Sequence, residues 1–290
     1  MSAPLPAPPG AFVTAAGVRL HVVRSGEGPA LVYVHGAKGS FYDFTLSLEP
    51  RLAGTYATVA FDRPGSGYSA REPGGDNSPQ RQAAVLRAAA TAMGLERPLL
   101  VGHSLGAAVA LAWALDDPGG VAAVVTLGGH VLPEAGPPLW VHGLLRLRAF
   151  SRLTGRLGRS RLGRPLVDAA LKRVFAPGPV PPEYARLAPR LAFADANVAH
   201  DGADQQAARA GLAALAPRYA GLEVPLVVVV GDGDRVVPPS VSLRLHELVP
   251  GSELVRVPGA GHMPQFTAPD AVVAAIARAA SLAGLPAGGA

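Results

Sequence analysis

Ser104 lies at the centre of GHSLG, between two glycines and directly after a run of apolar residues. A strand that turns at once into a helix holds the turn residue exposed and strained, and Gly102 and Gly106 allow the two elements to approach closely. The Ala-rich stretch that follows is typical of a helix, so the serine hydroxyl and the N–H of Leu105 are expected at its positive end. We interpret Ser104 as a nucleophile.

A serine hydroxyl needs a base at neutral pH, and His262 in PGAGHMP follows the last apolar run. His103 is adjacent to Ser104, but adjacent residues on a strand point to opposite faces. We therefore expect His103 to pack beside the turn. The imidazole in turn needs a carboxylate, and GDGDRVVP offers Asp232 and Asp234. We prefer Asp234, which lies further into the loop. The resulting chain order of serine, aspartate and histidine is the one expected for a nucleophile on such a turn.

Stabilising a developing oxyanion requires backbone N–H donors, which are inferred from position alone. One donor is expected at Leu105, directly after the nucleophile. The other is expected at Ala37, in the loop that follows LVYVHG, with His35 and Gly36 shaping that loop. We expect the walls of the acyl pocket to include Phe41, Tyr42, Trp140 and Met263.

These residues follow short apolar runs that end in Gly, Asp, His or Pro and alternate with Ala- and Leu-rich helical stretches. Continuous apolar runs are typical of strands buried on both faces, so the pattern predicts an α/β fold with a mostly parallel sheet flanked by helices. From about residue 130 to 217 no convincing strand is present. The predicted organisation is a disordered leader at 1–11, a core at 12–129 and 218–283, a helical cap at 130–217 and a flexible tail at 284–290.

The composition limits the class of protein. The 290 residues are 49% hydrophobic and 16% charged, so the chain can bury a large core. The absence of cysteine excludes a disulfide framework, a thiolate nucleophile and cysteine metal ligands. No signal peptide or membrane-length apolar stretch is apparent, so we expect a cytoplasmic protein. We expect neither a cofactor nor a metal ion.

The net charge of +5 is concentrated between residues 141 and 173, where arginines alternate with leucines. The pattern indicates amphipathic helices with a solvated arginine face and buried leucines. An anionic lipid surface or an acidic partner is the alternative reading of this charge. Nucleic acid is not expected, because no recognised binding motif accompanies the arginines.

Five motifs together resemble the α/β-hydrolase fold family: HG at 35–36, DRPGSGYS at 62–69, GHSLG at 102–106, GDGDRVVP at 231–238 and GAGHMP at 259–264. The resemblance spans about residues 12 to 283. It implies an eight-stranded sheet whose second strand is antiparallel, with a helical lid after the sixth strand. It also implies a Ser104, Asp234 and His262 triad, with Ala37 and Leu105 as oxyanion donors. Relatives that are haloalkane dehalogenases or epoxide hydrolases carry Asp as the nucleophile, and Ser104 argues against those activities.

The expected function is that of a serine hydrolase that cleaves a carboxylic ester of a small to medium apolar substrate through an acyl-enzyme. The sequence resembles a mixed group of capped bacterial esterases and carbon–carbon bond hydrolases, so two alternatives with the same triad stay open: carbon–carbon bond hydrolysis and acyl transfer. A third alternative is a non-catalytic binding protein on this fold. The expected partner is a small-molecule ester.

Overall fold

The central sheet explains the apolar runs of the sequence. The computed structural model describes residues 7–72, 75–133 and 148–285. The strands are β1 (Ala11–Ala15), β2 (Val18–Ser25), β3 (Ala30–Val34), β4 (Ala57–Phe61), β5 (Leu99–His103), β6 (Ala123–Leu127), β7 (Leu226–Gly231) and β8 (Glu253–Val257). They form one sheet in the order β1-β2-β4-β3-β5-β6-β7-β8.

Strand direction agrees with the prediction of a mostly parallel sheet. β2 pairs antiparallel with both β1 and β4, and the pairs from β4 through β3, β5, β6 and β7 to β8 are parallel. β5, β6 and β7 are buried along their whole length, as expected for strands covered on both faces. The predicted eight-stranded α/β fold is therefore confirmed.

Helices cover both faces of this sheet. The α-helices of the described residues are α1 (Tyr42–Thr45), α2 (Glu49–Leu52), α3 (Pro79–Ala92), α4 (Leu105–Asp116), α5 (Arg148–Gly158), α6 (Arg164–Phe175), α7 (Pro182–Ala192), α8 (Asp195–Leu215), α9 (Pro239–Leu248), α10 (Pro264–Thr267) and α11 (Pro269–Leu282). Successive strand residues point to opposite faces. Val32 and Val34 belong to the core layer that includes α3, α4 and α9, whereas Leu31 and Tyr33 belong to the layer on the other face, which includes α11 and the α1–α2 region.

The segment between β6 and β7 differs from the rest of the chain. In its described part, residues 128–133 and 148–225, helices α5 to α8 occur and no strand does. This is the region that we predicted to be a helical cap. Among the described residues as a whole, no helix combines the length and apolar character that a bilayer crossing requires.

Candidate active site

The turn between β5 and α4 holds Ser104 in a conformation that few side chains adopt. Its φ is 51° and its ψ is −121°, a strained combination for a residue with a Cβ. A Cβ on Gly102 would lie 2.6 Å from the Cα of Ala107, and one on Gly106 would lie 2.1 Å from the carbonyl oxygen of Val34. Both glycines are therefore required by the close packing of this turn. Ser104 is thereby fixed at the N-terminus of α4.

A buried histidine–carboxylate pair lies on the neighbouring strand ends. The Nδ1 of His262, after β8, is 2.8 Å from the Oδ2 of Asp234, after β7. The other carboxylate oxygen of Asp234 accepts hydrogen bonds from the N–H groups of Val236 and Val237, at 2.8 and 2.9 Å. The carboxylate is thus held by its own turn, and Nε2 is the ring nitrogen of His262 that does not face it. The alternative carboxylate, Asp232, instead pairs with the exposed Arg256 at 2.9 Å.

Two further buried histidines hold the surrounding backbone. Nδ1 of His35 donates to the carbonyl of Gly36 at 2.8 Å, and its Nε2 accepts the N–H of Arg63 at 3.0 Å, an arrangement that needs the neutral imidazole. Burial lowers the pKa of His35 well below its ordinary value, in agreement. His103 donates from Nε2 to the carbonyl of His262 at 2.8 Å. Burial, followed by the neighbouring His262, lowers the pKa of His103 to about 3, so it stays neutral beside the pair.

The loop after β3 passes directly over Ser104. A Cβ on Gly36 would lie 2.9 Å from the Cβ of Ser104. The carbonyl of Gly36 accepts a hydrogen bond from Nη2 of Arg63 at 3.0 Å. Because C=O and the next N–H point in opposite directions in a trans peptide, the N–H of Ala37 points away from Arg63. Within the described part of the chain, neither this N–H nor that of Leu105 donates to a protein acceptor.

Arg63 also connects this loop to α8. Its fully buried guanidinium donates to the carbonyl of His35 at 2.9 Å and pairs with Asp204 of α8 at 3.0 Å. One turn earlier on α8, Asp201 accepts the N–H of Lys38 at 3.2 Å. The peptide groups on both sides of Ala37 are therefore fixed, one by Arg63 and the other by Asp201. Our reading of the sequence did not include Arg63, Asp201 or Asp204 in the site.

A cavity of about 360 Å³ connects these groups. Ser104, His262, His103, Ala37 and Met263 line it, as does His130. Its apolar wall comes mainly from α6 and α7, through Val167, Ala170, Leu171, Val174, Ala188 and Ala192. Met263, one of the predicted wall residues, lines this cavity, and the sequence did not identify the residues of its main apolar wall.

Phe41 and Tyr42 do not line this cavity, contrary to our expectation. Phe41 is 2% exposed and packs against the rings of His21 and Tyr68, while its N–H donates to Asp62. The chain turns into α1 at this point, which directs the ring into the core. Trp140, the remaining predicted wall residue, lies outside the described residues.

Comparison with known proteins shows the family of the chain. The family model described as alpha/beta hydrolase fold matches residues 29–269, which is most of the chain. The chain belongs to the α/β hydrolase fold family.

Relatives of this hydrolase carry diverse names. It is 29% identical over 250 residues to RutD of Klebsiella pneumoniae (strain 342), provisionally named a carbamate hydrolase, with 84% of this chain and 88% of RutD covered. It is 28% identical over 257 residues to the magnesium-chelatase 30 kDa subunit of Rhodobacter capsulatus, with 84% of both covered. The crystal structure of an α/β hydrolase fold protein from Burkholderia ambifaria matches with a TM-score of 0.78 and 25% identity, covering 95% of this chain and 98% of that one.

Proposed function

We propose that this α/β hydrolase is a serine hydrolase that cleaves carboxylic esters of small to medium apolar substrates through an acyl-enzyme. The observation that carries the proposal is the buried 2.8 Å pair of His262 and Asp234, in which His262 lines the same cavity as the strained Ser104. Ser104 is only 8% exposed, but it opens onto the cavity. A base held by a carboxylate beside such a hydroxyl is the arrangement that activates a serine.

In the proposed reaction, Oγ of Ser104 attacks the ester carbonyl carbon while Nε2 of His262 takes the hydroxyl proton. Asp234 stabilises the imidazolium that forms, and the N–H groups of Ala37 and Leu105 bind the oxyanion. The tetrahedral intermediate collapses, the alcohol leaves with the proton from His262, and the acyl group remains on Ser104. Water then gives up a proton to His262 and attacks the acyl carbon, and the acid is released as His262 returns that proton to Oγ of Ser104.

The proposed substrate class follows from the cavity wall. Helices α5 to α8 would act as a cap, and the side chains of α6 and α7 give the cavity an apolar side suited to an acyl or alkyl chain. Polar side chains, among them Lys38, Asp201 and Gln205, line another part of it. The carbamate hydrolase name of the relative RutD supports a substrate whose carbonyl carries a heteroatom leaving group.

Covalent labelling tests the nucleophile. We expect a fluorophosphonate probe to add one label to the wild type, detected by intact mass, and none to Ser104→Ala. Ser242→Ala is the matched control, because Ser242 is also buried but lies on α9 outside the cavity. An unlabelled wild type, or equal labelling of Ser104→Ala, would contradict the assignment.

Turnover tests the reaction class. We expect the wild type to hydrolyse p-nitrophenyl acetate, butyrate or octanoate, with the preferred chain length reporting the depth of the cavity. Turnover of a vinylogous diketone is measured in parallel. Preferential turnover of the diketone would favour carbon–carbon bond hydrolysis, and faster loss of the ester with an added alcohol acceptor would favour acyl transfer.

A further inference from the structure

Most leucines in the described part of the basic segment are exposed, contrary to our expectation that they are buried. On α5, Phe150, Leu153 and Leu157 are 41, 64 and 42% exposed, while Ser151 and Gly155 face inward. Spacings of three and four residues put the three apolar side chains on one face of the helix. The packed face of α5 therefore carries small residues, and its outer face carries the large apolar ones.

Phe150, Leu153 and Leu157 form an apolar stripe that continues beyond α5. Leu162, in the connection to α6, is 85% exposed and Leu166 on α6 is 67% exposed. Of the seven large hydrophobic side chains that are exposed in the described part of the chain, five lie between residues 150 and 166. Isolated exposed leucines are ordinary, but such concentration marks an interaction surface.

A pocket lined by arginines lies beside the stripe. Its volume is about 330 Å³, and the five arginines that line it are Arg159, Arg161, Arg164, Arg186 and Arg190. No aspartate or glutamate lines it; Asp168 pairs with Arg164 and Glu183 with Arg186 from outside. Planar guanidinium groups are suited to the oxygens of a phosphate, so the pocket favours a phosphate-bearing ligand.

This pocket adjoins the catalytic cavity. Val167 and Pro189 line both spaces, so a molecule held by the arginines would lie next to the apolar wall of the cavity. The inner face of α6 contributes to the cavity while Leu166 on the same helix faces outward. A surface that bound this region would therefore lie beside the cavity that contains Ser104.

We propose that residues 150–166, together with the arginine pocket, dock this protein on an anionic phospholipid bilayer. The pocket would take a phosphate headgroup, and the leucines would enter the boundary between headgroups and acyl chains. Basic charge beside exposed leucine and phenylalanine is the combination that holds helices at such a boundary. The docking does not depend on catalysis, so a protein without the proposed nucleophile should bind in the same way.

Vesicle co-sedimentation tests this proposal, using phosphatidylglycerol–phosphatidylcholine vesicles against phosphatidylcholine alone. We expect binding only to the anionic vesicles, and less of it at high salt. Arg161→Glu/Arg186→Glu should weaken the apparent affinity by about 30-fold or more, because each basic side chain near an anionic surface adds to the free energy of binding. Leu153→Gln/Leu162→Gln should weaken it at least about tenfold through lost apolar insertion.

Arg24→Glu/Arg97→Glu is the matched control, because it reverses the same charge at two exposed arginines that lie outside the helical segment. We expect its binding to fall much less than that of the pocket variant. Ser104→Ala should bind like the wild type, which separates this test from that of the proposed function. Circular dichroism should show every variant folded, since the changed side chains are all exposed or line an open pocket.

Three results would overturn the proposal. One is equal loss of binding in the pocket variant and the Arg24→Glu/Arg97→Glu control, which would indicate net charge alone. Another is tight binding of inorganic phosphate in calorimetry without vesicle binding, which would make the pocket a site for a soluble phosphate compound. The third is a dimer in light scattering that Leu153→Gln/Leu162→Gln dissociates, which would make the stripe a contact between copies of the chain.

Discussion

Asp43 is a buried carboxyl group whose ionisation should reduce stability. It is 2% exposed in α1, and the hydroxyl of Tyr184 on α7 donates to its Oδ1 at 2.9 Å. Burial raises the pKa of Asp43 from 3.8 to about 7, with Asp62 adding to the rise. The hydrogen bond from Tyr184 and the charge of Arg63 act against it but do not offset burial.

The sign of the effect follows from linkage. Asp43 ionises at a higher pH in the folded protein than in the unfolded chain, so the unfolded state loses its proton first as the pH rises. The contribution of Asp43 to stability therefore falls as pH rises from about 4 to about 7, and is constant above that. This is opposite to the usual behaviour of a carboxylate stabilised by an ion pair.

We expect Asp43→Asn to remove this dependence while keeping an oxygen that accepts from Tyr184. Between about pH 5 and pH 8, the wild type should lose about 3 kcal/mol of unfolding free energy relative to the variant, given the pKa values of 3.8 and about 7. Urea unfolding of both proteins at each pH measures this difference, and the other titrating groups cancel in the comparison.

Parallel stability curves for the two proteins would refute the reasoning, because Asp43 would then ionise alike in the folded and unfolded states. Tyr184→Phe provides a second check. The hydroxyl of Tyr184 favours the ionised carboxylate, so removing it should raise the pKa of Asp43 further. The pH range over which stability falls should therefore lie higher in Tyr184→Phe than in the wild type. A shift to lower pH would contradict the assigned role of Tyr184.

Two predictions concern the proposed catalysis. Asp234→Asn should lower kcat for a p-nitrophenyl ester by about 10⁴-fold, because the amide no longer fixes the tautomer of His262 or stabilises its charged form. Thermal stability should change little. A loss of kcat under tenfold in steady-state kinetics would contradict the role of the Asp234–His262 pair. Asp201→Ala should lower kcat about tenfold at unchanged KM by releasing the N–H of Lys38 beside the oxyanion loop. Asp201→Asn, which keeps an acceptor oxygen, should restore most of that rate, and equal losses in both variants would count against positioning.

The sequence predicted the sheet and the grouping of polar residues because both depend on local patterns. Fully buried strands require continuous apolar runs, and the carboxyl ends of neighbouring parallel strands meet at one edge. His262 and Asp234 are 28 residues apart but follow adjacent strands, so their 2.8 Å contact could be anticipated. Phe41 could not be placed in the same way, because the direction of its ring depends on the turn into α1.

Periodicity predicted helices in the basic segment but not the environment of their apolar faces. An alternation of arginine and leucine gives the same pattern whether the leucines pack inward or face outward. Ser151 and Gly155 supplied the only local hint, since small residues on one face permit close packing of that face. The exposure of Leu153 and Leu162 had to come from the three-dimensional arrangement.

The pair of Arg63 and Asp204 connects helix α8 to the loop over Ser104. The two residues are 141 positions apart, and no local signal in the sequence connects them. Their side chains are fully buried, so removing Asp204 would leave the Arg63 guanidinium without a carboxylate, at a typical cost of about 3–5 kcal/mol, whereas removing Arg63 would leave Asp204 paired with Arg71. The same guanidinium fixes the carbonyls of His35 and Gly36, which orient the N–H of Ala37. A displacement of α8 would therefore disturb the loop over Ser104 even if the β-sheet stayed unchanged.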